Sequence, residues 1–251
     1  MHPYSQLPDQ NFWKRFVSDT PWPELQLGGA AKFQLNATSK IATAGSCFAQ
    51  HIARYLAKSG LSTYIAENAH PLSVEFGGEV ESYKLFSARY GNVYTARQCL
   101  EMFQQATGLR PMIEDFADDD NRTYDLLRPN AVPHGFVNRI EARADRRFHL
   151  ACVRRMFETA DVFVFTLGLT EAWSHTKQGH TYPVCPGTAR GQYDPDEHQP
   201  HNFTHSEVLA DLHALVAGLT EINPALKVIL TVSPVPLVAT YTGVAPIHRT
   251  L

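Results

Sequence analysis

Cysteine is scarce in this chain of 251 residues: there are four, and none stands in a Cys-x-x-Cys pair. Cys47, Cys99, Cys152 and Cys185 are too widely spaced for the dense disulfide framework of a small secreted domain, so reduced thiols are expected. Long hydrophobic runs are also missing. The longest, such as Val162-Phe163-Val164-Phe165, are strand-sized, and mean hydropathy is -0.24, so no membrane span is expected. Charge of one sign is not in excess. Lys and Arg number 22 against 25 Asp and Glu, a net charge of -3, which argues against a nucleic-acid partner. The start, Met1-His2-Pro3-Tyr4-Ser5-Gln6, lacks the basic and apolar regions of a signal peptide, and a cytoplasmic location is the expectation.

What is present builds a core. Hydrophobic residues make up 44%, with 14 Phe, 10 Tyr and 3 Trp, enough for one large domain or two small ones and incompatible with disorder. Residues 1–39 carry Pro3, Pro8, Pro21 and Pro23 with Trp13 and Phe16 on a short helical pattern. They read as an N-terminal arm packed on the main body. The acidic run Asp115, Asp118, Asp119, Asp120 reads as an exposed loop.

Regular structure begins at residue 40. Lys40 to Ala44 forms a short apolar strand, Gly45-Ser46 turns, and Phe48, Ile52, Tyr55 and Leu56 recur at helical spacing before the stop at Gly60. Leu61 to Ile65 then reads as a second strand, which makes a βαβ unit and a parallel sheet with a right-handed crossover. Helices are expected over 95–107 and 140–160. The second carries Arg143, Arg146, Arg147, Arg154 and Arg155, read as a solvated basic stripe. A buried strand spans Val162 to Leu167. Thr204-His205-Ser206-Glu207 fits a capping box ahead of the apolar stripe from Val208 to Ile222. Val228 to Val232 is the fourth strand. Four strands interleaved with helices indicate a three-layer α/β domain.

Ligands of such sheets bind beyond the carboxyl ends of the strands. Three polar turns lie there: Gly45-Ser46-Cys47, Gly168 to Glu171, and Ser233-Pro234. Ser46 has two readings, a nucleophile beside the N–H groups of a helix start, or simply a helix cap. Its turn is neither the Gly-x-Ser-x-Gly elbow, since Phe48 replaces the second Gly, nor a phosphate loop. Cys47 competes as a thiol nucleophile at a helix start, against the reading of a small buried residue. His175, His180, His198, His201 and His205 crowd one segment with Cys185, but their gaps are weak evidence for zinc. Neither a metal nor a cofactor is expected.

The string Ile41-Ala42-Thr43-Ala44-Gly45-Ser46-Cys47-Phe48-Ala49-Gln50-His51 contains Gly-Ser-Cys-Phe-Ala. Together with Arg128-Pro129-Asn130, Gly135-Phe136, Phe165 to Trp173, Cys185-Pro186-Gly187, Asn202-Phe203, Asn223-Pro224 and Thr231 to Pro236, it resembles the bacterial GSCFA-domain family over most of the chain. That family is similar to the SGNH (GDSL-like) hydrolases, which cleave or transfer acyl esters. The resemblance implies a three-layer α/β/α sandwich with a mainly parallel, flavodoxin-like sheet over 40–251. It also implies a small-molecule or glycan ester as substrate, turned over by a hydrolase (esterase) or acyltransferase.

The roles follow residue by residue. Ser46 matches the nucleophile. Gly91-Asn92 resemble the block whose backbone N–H steadies the oxyanion, and Gly168-Leu169-Thr170-Glu171 resemble Gly-x-Asn-Asp. Thr170 stands where Asn would donate an amide, so Asn92 is the expected substitute, and Glu171 completes the block. Losing one such donor costs on the order of 3 kcal/mol. In SGNH enzymes an Asp-x-x-His after a fifth strand supplies the base. None follows the fourth strand here, so the domain is expected to be C-terminally incomplete, lacking its last strand, with His248 a weak candidate base. The alternative is a truncated or degenerate domain that binds an acylated or carbohydrate-like ligand without turnover.

Overall fold

The computed structural model describes residues 2–25, 31–70, 81–235, 237 and 239–243, without the side chains of residues 47, 48, 50, 53 and 81. The chain divides into two units, Met1–Asn36 and Ala37–Leu251. In the first, short helical segments run over Pro3–Gln6, Asp9–Asn11, Lys14–Ser18 and Trp22–Glu24. Proline stands in the opening turn of two of them, where its missing N–H costs nothing. The helical pattern around Trp13 and Phe16 is a single turn, tied by exposed ion pairs of Lys14 with Asp19 and Arg15 with Asp9.

The second unit is built around a parallel sheet. Strand β1 (Ile41–Ala44), entirely buried, is followed by helix α1 (Cys47–Lys58). Helix α2 (Ala96–Thr107) starts at a capping box of Thr95 and Gln98 and stops at Gly108 in the left-handed conformation. An antiparallel hairpin follows, β2 (Phe116–Asp119) and β3 (Arg122–Asp125), turning through Asp120 and Asn121 at positive φ. Then come helix α3 (Arg139–Thr159) and strand β4 (Val162–Leu167). Three short strands, β5 (Glu171–His175), β6 (Thr181–Tyr182) and β7 (His198–Asn202), form a second antiparallel sheet. Helix α4 (His205–Ile222), with the Thr204–Glu207 box, and strand β8 (Lys227–Val232) close the series.

The parallel sheet has the order β1-β4-β8. Ile41 lies opposite Val162, and Val162 opposite Lys227, so the three carboxyl ends emerge together. The strand expected over 61–65 is reduced to one parallel bridge, Thr63 opposite Ile41, and one hydrogen bond from the Tyr64 N–H to the Ile41 carbonyl. The chain leaves β1 there because Ala66 pairs with Ser87 and Glu67 enters a buried ion network. Strand β8 is the outer described strand, with Leu230 and Val232 exposed.

Aromatic residues from different elements meet in the core. Phe103 of α2, Phe157 of α3 and Phe163 of β4 pack edge to face at 5.1–5.7 Å, and Phe165 stacks on Phe163. Helix α1 lies against β1 and β4, while α2 packs on α3 and α4.

Two charge patterns depart from expectation. Arg146 belongs to no solvated stripe: it is buried and donates to Asp125, the Ile113 carbonyl and Gln105. Asp125 also accepts from Arg128, which reaches Asp145, and Arg89 pairs with both Asp145 and Glu67. Burial is outweighed there by Arg146 and Arg128, which hold the Asp125 carboxyl at about 2. Nor is the acidic run all exposed loop. Asp118 and Asp119 sit in the hairpin, and Asp115 is half-buried, accepting from His180 and Tyr182.

Candidate functional site

A short turn carries Ser46 from β1 into α1. Gly45 occupies it at φ +149°, and a β-carbon there would stand 2.8 Å from the Thr166 Cβ and 2.9 Å from the Thr166 carbonyl. Only glycine fits this approach of β1 to β4. Ser46 is buried and directly precedes α1, its carbonyl accepting the Ala49 N–H at 2.9 Å. The hydroxyl therefore sits at the end of a 12-residue helix where the backbone dipole favours developing negative charge.

The turn after β4 closes on it. The Gly168 and Leu169 N–H groups both donate to the Tyr94 carbonyl, at 3.0 and 2.9 Å, and the Val93 N–H donates to the Gly45 carbonyl at 2.8 Å. Residues 93–94 thus stitch the first and second turns together. The third joins through the Ser233 N–H, which donates to the Leu167 carbonyl at 2.8 Å. All three turns meet in one cleft of ≈ 260 Å³ lined by Ser46, Gly168, Leu169 and Ser233. Tyr94, Pro183, Val184, Val235, Leu237 and Ala239 complete its wall, which is mostly apolar.

The other sequence-derived candidates lie elsewhere. Gly91, at φ +70°, and Asn92 line a neighbouring pocket of ≈ 20 Å³ that shares Tyr94, Pro183 and Val184 with the Ser46 cleft. The Asn92 Oδ1 is buried and has no hydrogen-bond partner among the described residues. Thr170 is committed to β7: its hydroxyl donates to Asn202 Oδ1 at 2.8 Å and its carbonyl accepts the Phe203 N–H. Glu171 accepts from the Thr240 hydroxyl and the Tyr241 N–H, holding that segment beside β5. The Cys47 side chain and His248 lie outside the described residues.

The histidines separate into two groups. His175, His180 and His198 come together with ring centroids 5.1 and 6.4 Å from His175, whereas His201 bonds Glu207 at 2.9 Å. His175 and His198 each turn Nδ1 toward backbone N–H groups, which gives both rings an acceptor role. His180 donates Nε2–H to Asp115, whose carboxyl is held low by His180 and Tyr182 against the effect of burial. Among the described residues no group of three His, Cys, Asp or Glu is arranged to hold a metal ion.

Sequence reasoning missed the walls Pro183-Val184 and Val235, Leu237 and Ala239. Their only local signals are the prolines that break β6 and β8. Contact with Ser46 arises from chain return over more than 130 residues, which no local pattern encodes.

No helix among the described residues is long and apolar enough to cross a membrane. No curated protein and no solved structure matches the chain. The model of the GSCFA family matches residues 40–247, from the residue before β1 to beyond β8 and across every turn that lines the cleft. This chain belongs to the GSCFA family.

Proposed function

We propose that the unit is an SGNH-like serine hydrolase or O-acyltransferase in which Ser46 attacks an acyl ester. The observation that carries this reading is the burial of Ser46 at the start of α1, in an apolar cleft where three strand-end turns meet. The Ser46 oxygen would bond to the ester carbonyl carbon, the alcohol would leave with a proton, and water or a second alcohol would release the acyl group. The proposed fold is the three-layer α/β/α sandwich, and β8, which among the described residues pairs only with β4, is where a further strand would add. The adjoining Gly91-Asn92 pocket supports a role for that segment in steadying the oxyanion, through the Gly91 N–H or the Asn92 amide. Thr170 and Glu171 are assigned to holding the cleft's rim, since their side chains are bonded to Asn202 and to residues 240–241.

A second reading has its own support. Position 170, where the resemblance would place an Asn amide donor, is a Thr whose hydroxyl is committed to Asn202. On this reading the domain binds an acylated or carbohydrate-like ligand without turnover. A fluorophosphonate probe separates the two. Labelling of the wild type that disappears in Ser46→Ala supports the serine enzyme. Equal labelling of both removes Ser46 as nucleophile, and no labelling of either favours the binding domain.

A further inference from the structure

Beside the Ser46 cleft lies a second, wider depression of ≈ 420 Å³, and Ala239 lines both. Its chemistry is different. Trp173 of β5 forms its centre, with Tyr193 at 5.5 Å and 81° on one side and Tyr241 at 5.1 Å and 72° on the other. Tyr193 is 46% exposed and Tyr241 65% exposed. Glu171, Thr188 and Thr240 supply polar groups around the rings. The Glu171 carboxylate accepts two hydrogen bonds from residues 240 and 241. With about four lone-pair sites it retains acceptor capacity for a ligand hydroxyl.

We infer that this aromatic shelf binds a pyranose ring, the alcohol part of the ester whose acyl group enters the Ser46 cleft. The inference rests on the proposed ester-cleaving reading for the link between the two compartments, but the shelf is testable by itself. Three observations select a sugar. The rings touch edge to face at 5.5 and 5.1 Å, so neither Trp–Tyr pair admits an ammonium group between its two rings. The partly exposed Tyr193 and Tyr241 rings border one depression with Trp173, and aromatic ring area of this kind suits the weakly positive C–H groups on one side of a sugar ring. The carboxylate and hydroxyls at its margin match the ring's hydroxyls and are ill suited to a lipid tail, for which the drier wall of Leu169, Val184, Val235 and Leu237 is the better fit. A glycan ester would thus divide between the compartments, sugar outside and acyl group inside.

Saturation-transfer NMR with methyl glucopyranoside, methyl galactopyranoside and methyl N-acetylglucosaminide tests the shelf. The proteins are wild type, Ser46→Ala, the double variant Tyr193→Ala with Tyr241→Ala, and Trp173→Phe as a milder change. Transfer to the ring protons of at least one pyranoside is expected from wild type and Ser46→Ala alike. It should fall at least fivefold in the double variant and partly in Trp173→Phe, with unchanged far-UV circular dichroism. No transfer to any pyranoside, or equal transfer from the double variant, overturns the inference. Stronger transfer to tetramethylammonium than to every sugar, or a concentration-dependent dimer dispersed by the two Tyr changes, overturns it in favour of a cation or a second copy. Because binding is read in Ser46→Ala, a failed labelling experiment sinks the catalytic reading and leaves the sugar result standing.

Discussion

Gly168 approaches Ser46 so closely that a β-carbon at 168 would stand 3.5 Å from the Ser46 Cβ and 3.7 Å from its Oγ. A side chain at 168 would therefore enter the cleft in contact with Ser46. Gly168→Val should obstruct the approach of a carbonyl carbon or phosphorus atom to the serine. The second-order rate of fluorophosphonate labelling is expected to fall about tenfold or more, roughly 1.4 kcal/mol in barrier. A Gly168→Val protein that labels at the wild-type rate would show that ligands reach Ser46 from another side.

Asp125 stands between two buried guanidinium groups, accepting from Arg128 at 2.8 Å and from Arg146 at 3.0 Å. Asp125→Ala leaves both cations buried with reduced compensation. Urea denaturation should show a loss of about 3–5 kcal/mol. Asp125→Asn keeps an acceptor oxygen and should lose less; equal losses would mean that the charge itself contributes nothing.

His149 is buried, and burial with the charge of Arg128 holds its imidazole below the usual 6.5. It is neutral at pH 7 and donates Nδ1–H to Glu67 Oε2 at 2.6 Å. The unfolded chain takes up a proton near pH 6.5 that the folded chain refuses, so stability falls as pH drops below about 6.5. Glu67 acts in a lower window. Burial raises its pKa, but His149, Arg128 and the Arg89 N–H outweigh this and hold it at about 2. Its contribution is complete above the unfolded value of about 4.3 and lost as pH falls toward 2. The urea midpoint should therefore decrease from about pH 7.5 to about pH 5.5. His149→Gln should be less stable at the upper pH but show a shallower decline, and an unchanged slope would assign the effect to other groups.

Gly218 lets α4 seat against Phe103, since a β-carbon there would come within 2.5 Å of the ring. The ring has nowhere to retreat, being packed on Phe157. Gly218→Ala gains up to about 1 kcal/mol of helix propensity but incurs overpacking of about 1–3 kcal/mol. A lower melting temperature is expected, with partial recovery when Phe103→Leu is added. A stabilised Gly218→Ala protein would show that the two helices slide apart freely.

Sequence periodicity located β1, β4, β8 and helices α2, α3 and α4 to within a residue or two, because their spacing, capping boxes and terminal breakers act over neighbouring residues. It likewise placed Ser46, Gly168 and Ser233 at strand ends, since parallel pairing puts those ends on one edge. Tertiary structure alone decided the rest. The Leu61–Ile65 stretch carries strand-like residues, yet Glu67 is drawn to Arg89 and His149 and the chain turns away after one bridge. Arg146 looks like a surface residue in any local window, and only Asp125, Ile113 and Gln105 arriving from elsewhere make its burial tolerable. The same holds for the aromatic shelf. Trp173, Tyr193 and Tyr241 are separated by 20 and 48 positions, and the antiparallel turns of β5–β7 with the Glu171 clasp on residues 240–241 bring them together. Local patterning determines which segments are strands and helices, whereas burial of charge and long-range chain return determine which side chains share a site.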